Sequence, residues 1–439
     1  MGQAYYPVSV PSRPSGAQQP PSGYPLSRSI VAFYLALVIS PRRRRSSSGP
    51  TITAAPISPT AGLVILCITE TVSWGLLYYS LPAAMDPISA STGWPRSLIT
   101  AGFSAGMLVA AIAGIPTGRL LDRFGPGITM TAGSVIGSLG LVIVAVAPNL
   151  MVFALGWLVT GTAKSLVLYQ AAFAAVTQWY GERRVRPLTV LTLAGGFAST
   201  IFAPLVAFLV THVGWRQSYL IMAAGMFVIT VPLHALLLRL PWSARDPKSG
   251  RIDENHVRRV TRSARFRVLQ GVMTMTTLGM FAVTLNLVPV LTGHGASYQL
   301  AAAGLGLVGV GQVAGRLGYA LVPARHGPGV RLAAVGGAAA VILLVLAALP
   351  GPLWLLLGLG IVAGMARGCH TLVQATAVSD RWGTINFPTI NGIFSAPLLA
   401  ASALAPVAGS AIGGAIGYPA MTAVMGGLVG LASIVAIRT

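Results

Sequence analysis

The sequence predicts an all-α polytopic membrane protein, with twelve transmembrane helices in two pseudo-symmetric six-helix bundles. Three observations carry this prediction. The 439 residues are 54% hydrophobic and only 8% charged, with a mean hydropathy of +0.75. A soluble domain carries about a quarter charged residues, so this chain has too little polar surface to be dissolved in water. Beyond residue 59 the chain is a succession of apolar runs of about the 20 residues that a spanning helix needs. Of the 29 Lys and Arg, 24 fall in the N-terminal tail, the C-terminus and every second connection, two fall in the opposite connections, and three lie within spans. That asymmetry obeys the positive-inside rule and predicts both termini in the cytoplasm of a cell (inner or plasma) membrane.

In chain order, residues 1–59 are rich in Pro, Ser, Gly and Arg and read as a disordered basic tail. Their apolar run Ile30–Ile39 is too short to span and is followed directly by Arg42–Arg45. The spans fall at 60–84, 95–117, 128–147, 150–178, 187–211, 216–238, 268–292, 297–322, 330–349, 352–379, 387–412 and 417–437. The six-helix bundle 60–239 and the six-helix bundle 268–439 are joined by a cytoplasmic linker, 240–267. The linker carries Arg258, Arg259, Arg262, Arg265 and Arg267 and reads as a solvated helix along the membrane surface. The net charge of +21 is thereby explained by topology and anionic lipid rather than by nucleic acid.

A repeat relates the bundles. Gly125-Pro126-Gly127 returns as Gly327-Pro328-Gly329, an offset of 202, and Trp179 returns as Trp382, an offset of 203. Pro204 returns as Pro406, and Gly214-Trp215 as Gly417-Tyr418. Cys67 and Cys369 lie inside apolar runs, so no disulfide, metal site or cofactor is expected.

The charged stretch between the second and third spans is Gly118-Arg119-Leu120-Leu121-Asp122-Arg123-Phe124-Gly125-Pro126-Gly127, read as a short turn bracketed by glycines. Gly118, Asp122, Arg123 and Gly125 resemble the G-x-x-x-D-[RK]-x-G loop signature of the major facilitator superfamily. The basic residues that usually follow are replaced by Pro126, Gly127 and Ile128. In the second half Ala320 and Ala324 stand for the glycine and aspartate, while Arg325 and Gly327 remain. With the span count and the repeat, the resemblance covers residues 60–439. It implies two parallel six-helix halves, alternating access, and a loop that locks the cytoplasmic gate.

Ionisable residues inside a bilayer are functional candidates. They are Glu70, Lys164, Arg316 and Arg367, with His370 beside the last. Lys164 and Arg367 are repeat mates at an offset of 203, each preceded by glycine three residues earlier (Gly161, Gly364). Each lies roughly 20 Å into its span, near the bilayer centre. In the family arrangement the first, fourth, seventh and tenth spans face a central cavity, so two cations would confront each other unless an anion lies between them. His370 and Gln374 follow Arg367 on one helix face. Glu70, the one carboxylate within a span, shares its face with Ser73, Trp74, Leu77 and Tyr78. It is a candidate proton carrier or a counter-charge for the cations.

The pair Gln312 and Arg316 resembles the D-x-x-x-R pair of monocarboxylate transporters, and oxalate/formate antiporters likewise carry an arginine in this span. Arg316 matches; Gln312 departs from the aspartate, and Ala83 replaces the lysine expected after Leu81-Pro82. Two drug-antiporter patterns fail, at Trp157 in place of an arginine and at Thr192–Thr200. These observations imply a secondary transporter for a small organic anion, bound by Lys164, Arg367, Arg316, His370, Tyr78 and Gln312. The expected partners are that substrate, membrane lipid and a coupling proton or counter-anion, with a monomer as the working unit. A proton-antiporting exporter of drugs or other small molecules is the alternative in transport, and a non-transporting membrane sensor the alternative outside it. There is no P-loop, no His/Glu metal motif and no Ser–His–Asp set to support an enzyme.

Overall fold

The computed structural model of the chain describes residues 57–240, 242, 253–321 and 326–439. The basic tail 1–56, most of the linker's N-terminal part and the Ala324–Arg325 stretch lie outside the described residues. The first helix, α1 (Pro59–Thr92), begins where Ser58 accepts the Ala61 amide N–H at 3.2 Å and Pro59 fills the first turn, where its missing N–H leaves nothing unpaired. Midway, α1 widens into a π-helical segment, Gly75–Tyr79. The extra residue re-registers the helix so that Trp74, Tyr78 and Tyr79 all reach the central cavity. Gly75 permits this, since a Cβ there would lie 2.2 Å from the Phe202 ring.

The second and third spans form one run, α2 (Arg96–Val146). Here the structure corrects the expectation of a short turn over Gly118–Gly127. Residues 118–124 stay helical, and the only non-helical residue in the run is Gly125, with φ 75° and ψ 175°. The reversal sits at one residue because Gly125 alone tolerates that backbone, and Pro126 then starts the next helix. The fourth span, α3 (Leu150–Arg183), is capped by Asn149, which accepts from the Val152 N–H at 3.0 Å, and breaks at Leu168. The fifth and sixth spans share α4 (Val185–Arg239), reversing at Gly214. In the linker, α5 (Glu254–Arg262) buries Val257 and Val260 and exposes Arg258, Arg259 and Arg262.

The second half comprises α6 (Ala264–Leu285), the short α7 (Leu287–Gly293), α8 (Tyr298–Leu321), α9 (Pro328–Ala348), α10 (Leu353–Trp382), α11 (Phe387–Ile416) and α12 (Tyr418–Ala436). Among the described residues nine helices are long and apolar enough to cross a membrane. Two of these, α2 and α4, each contain two spans, and α8 supplies one more, so the twelve expected crossings are all present. A six-span shift between the halves reproduces the packing. A Cβ at Gly161 would lie 2.1 Å from the Gly106 carbonyl oxygen, and one at Gly364 would lie 2.2 Å from that of Val308. These pairs are repeat mates, so the same close crossing of small residues is built twice. Gly214 and Gly417, also mates, reverse the chain with φ of 76° and 87°.

The apolar core is divided. One cluster crosses between the halves at the end of the bundle that carries the 118–127 segment, joining Leu121, Phe173 and Leu188 to Phe266, Leu372 and Phe394. Toward the other end, one cluster belongs to the first half (Leu77, Phe153, Trp157, Tyr219) and another to the second (Val283, Leu287, Leu343, Met425). No apolar cluster of described residues joins the halves there. The halves are therefore sealed at the loop end and part toward the far end.

Candidate functional site: a cavity between the halves

Between the halves lies a cavity of about 270 Å³, lined by α1, α2, α3, α4, α6, α8, α10 and α11. Of the expected substrate-binding residues, Lys164, Arg367, Arg316, His370, Tyr78 and Gln312 all line it. Gln374 does so too, as do Gln170, Tyr79, Asn391 and Ser395, which the sequence reading did not single out.

Lys164 is buried, and its Nζ has no hydrogen-bond partner. It lies 4.3 Å from the centre of the Phe103 ring and 5.0 Å from that of Trp157. The residue that breaks the family's arginine pattern at 157 is thus one wall of the seat for Lys164, whose charge meets the negative faces of both rings. Arg367 sits the same way in the other half, 3.9 Å over the Phe281 ring. The phenols of Tyr78 and Tyr79 lie within electrostatic reach of its guanidinium. No hydrogen bond to that guanidinium is present among the described residues. His370, one turn on, is buried, with Nε2 3.2 Å from the Thr277 hydroxyl and Nδ1 without a partner. Arg316 differs from the other cations: its Nη1 donates to the Thr192 carbonyl at 2.8 Å, crossing from α8 to α4. Gly196 makes room for it, since a Cβ there would lie 2.9 Å from that nitrogen.

Glu70 is fully buried but is not among the residues lining the cavity. Neither carboxylate oxygen has a hydrogen-bond partner, and no ion pair joins it to Lys164 or Arg367. The Trp74 indole interacts with it electrostatically without meeting hydrogen-bond geometry.

At the loop end the halves meet backbone to backbone. A Cβ at Gly118 would lie 2.3 Å from the Pro388 carbonyl oxygen, and one at Gly392 would lie 2.6 Å from that of Gly114. Gln170 Nε2 donates to the same Gly114 carbonyl at 2.5 Å. Asp122 Oδ2 accepts the Thr389 amide N–H at 2.9 Å. That amide belongs to the first turn of α11, where helical N–H groups lack internal partners and the dipole favours an anion. The residue before α11, Asn386, is left-handed (φ 50°) and offers no side-chain cap bond, so the cap comes from the opposite half. Arg123 is exposed over Phe124, at 4.9 Å. A second crossing was not anticipated: Arg184 of the first half and Arg331 of the second grip the two oxygens of Asp380 at 2.5 and 2.9 Å. The chain has only eight acidic residues, and Asp380 borders the tenth span next to the repeated Trp382; that scarcity was the available signal.

Two helical halves, sealed at one end around a central cavity with buried cations, define a membrane carrier. The chain belongs to the major facilitator superfamily, whose model matches residues 63–384. Human monocarboxylate transporter 11 is 29% identical over 254 residues, which are 56% of this chain and 52% of that protein. Bovine monocarboxylate transporter 13 is 27% identical over 181 residues, 40% of each chain. The chain spans about half the length, or less, of the curated relatives it matches. The fucose:proton symporter FucP of E. coli superposes with a TM-score of 0.68 at 16% identity, over 87% of this chain and 98% of its own. The human organic anion transporter MFSD10 superposes at 0.67 with 17% identity, over 86% and 99%. At those identities the likeness establishes the fold. Within the superfamily the chain is similar to monocarboxylate transporters, and its long apolar helices fit an integral membrane protein.

Proposed function

We propose that the substrate is a small organic anion, moved by alternating access as the halves 60–239 and 268–439 rock about the cavity. The observation that carries this is the charge of the lining: Lys164, Arg316 and Arg367 are present, and no aspartate or glutamate occurs among the described lining residues. Buried cations without counter-ions are unfavourable, and a carboxylate entering between the halves supplies the missing charge. The same lining disfavours the cationic drugs that an exporter would take. Uptake of labelled mono- and dicarboxylates into proteoliposomes tests the reading; saturable exchange of carboxylates supports it, and transport of organic cations alone overturns it.

The proposal includes an orientation. The loop end, with both termini, faces the cytoplasm of the cell membrane, so the cavity of this conformation opens outward. In a chain with Cys67 and Cys369 replaced, a cysteine introduced at the exposed Asn255 is expected to resist impermeant maleimide in intact cells. Labelling from outside reverses the topology.

Glu70 is proposed as the coupling group. A fully buried, unpaired carboxyl beside the substrate path can take up and release a proton as the cavity changes sides. Glu70→Gln is expected to flatten the pH dependence of uptake while substrate exchange persists; a wild-type pH profile in this variant removes Glu70 from the coupling path. The transporter is further proposed to act as a monomer, because cavity and gate are completed within one chain.

A further inference from the structure

The two cationic seats are separate, and both lack an acceptor. Lys164 and Arg367 come from different halves, at mated positions of the repeat. Each is held against aromatic faces of its own half, Phe103 and Trp157 for Lys164 and Phe281 for Arg367. Those ring contacts stabilise the charge but use none of the N–H donors, of which an ammonium has three and a guanidinium five. Lys164 Nζ is buried with no partner, and the half-buried Arg367 lies over the Phe281 ring and forms no ion pair among the described residues. Arg316 is different in kind: its Nη1 is tied to the Thr192 carbonyl of α4, although its buried Nε has no partner. Besides the tethered Arg316, the cavity thus holds two cations seated only on aromatic rings, one per half, and no carboxylate among its described lining residues.

We propose that the cavity is built for a dianion, a small dicarboxylate, with one carboxylate on Lys164 and the other on Arg367. This rests on the organic-anion reading above and specifies its charge. The carbon chain between the carboxylates crosses the part of the cavity walled by Tyr78, Tyr79, Tyr169 and Phe281, which suits methylene groups. Each end of such a substrate is held by a different half, so it bridges them and favours conformations in which both grip it.

Binding to purified wild-type protein, measured by calorimetry, distinguishes the two charge states. Succinate, glutarate and adipate are compared with butyrate, valerate and hexanoate. A second charge-assisted contact is expected to make the best diacid tighter than its matched monoacid by roughly 10- to 150-fold. Lys164→Gln and Arg367→Gln are each expected to erase that preference, leaving diacid and monoacid equal, while Lys164→Arg keeps it. Equal binding of diacids and monoacids by the wild type overturns the dianion and leaves the anion reading standing. Binding of neither series, with folded protein confirmed by its melting transition, overturns the anion reading itself. The wild-type series separates these outcomes even where a variant fails to fold.

Discussion

Arg367→Ala is expected to abolish saturable uptake of the organic anion and to leave the protein folded. Both parts follow from what the guanidinium touches. It makes no ion pair or hydrogen bond with a described residue, so its removal leaves no buried acceptor unpaired. What is lost within the protein is the contact with the Phe281 ring, worth about 0.5–1 kcal/mol, and that loss is offset by removing a half-buried charge that no described carboxylate pairs. What is lost toward substrate is a charge-assisted contact through a bidentate fork, roughly 1.5–3 kcal/mol, or about 10- to 150-fold in affinity. Lys164→Ala is expected to behave alike, because its Nζ is also unpartnered. Arg367→Lys should retain charge but lose the planar fork, and therefore weaken binding without abolishing it. Arg316→Ala separates from these two: it removes a bond between halves, so its loss of transport should come with a shift in conformational equilibrium as well as in affinity. Ligand binding and melting temperature measured on the same purified variants distinguish these cases. A large fall in the melting temperature of Arg367→Ala with unchanged affinity would make the arginine a structural tie.

Much of this was legible in the sequence because the bilayer permits few solutions. Span length, basic asymmetry and an offset of 202 to 203 residues constrain each other, and most of the spans fall within a few residues of the helices found, while the first two helices run seven or eight residues further. The mated cations were legible for the same reason: a charge inside an apolar run is conspicuous. What escaped were features set by three-dimensional approach. The π-helical turn at Gly75–Tyr79, with Tyr78 and Tyr79 both on the cavity, packs its Gly75 against Phe202 from another span. Phe103 and Phe281 lie far from their cations in the chain, whereas Trp157 stands seven residues before Lys164 on the same helix face, a signal that was available but registered only as a departure from a family pattern. Helix-face periodicity groups Glu70 with Trp74 and Tyr78 but leaves open whether that face lines a cavity or packs the bundle; the packed helix buries Glu70 outside the lining. The reversal at Gly125 was read too long because the charged residues 118–124 look like a loop, although they are the polar end of a helix.

Gly118→Ala is expected to reduce transport at least tenfold by preventing closure of the loop end. The added methyl would stand 2.3 Å from the Pro388 carbonyl oxygen and 2.9 Å from the Thr389 Cα, both backbone atoms at the start of α11 in the opposite half. No rotamer change relieves a clash with backbone, so the halves must separate there, and overpacking of this kind costs about 1–3 kcal/mol. Separation also withdraws Asp122 from the Thr389 N–H, so the capping bond is lost with the contact. Asp122→Ala tests that second part alone. Loss of a cap costs about 0.5–2 kcal/mol, which shifts the balance between closed and open loop ends by roughly 2- to 30-fold. Asp122→Asn retains an acceptor for the amide and loses only the interaction of the charge with the helix dipole, so it should fall between Asp122→Ala and wild type. The observable is the distance between spin labels placed on either side of the gate, read by pulsed dipolar spectroscopy alongside transport. Gly118→Ala should populate the separated loop end most, Asp122→Ala less and Asp122→Asn least, with transport falling in the same order. If Gly118→Ala keeps both the wild-type distance distribution and wild-type transport, contact between Gly118 and Pro388 does not limit closure, and the loop acts only through its charge.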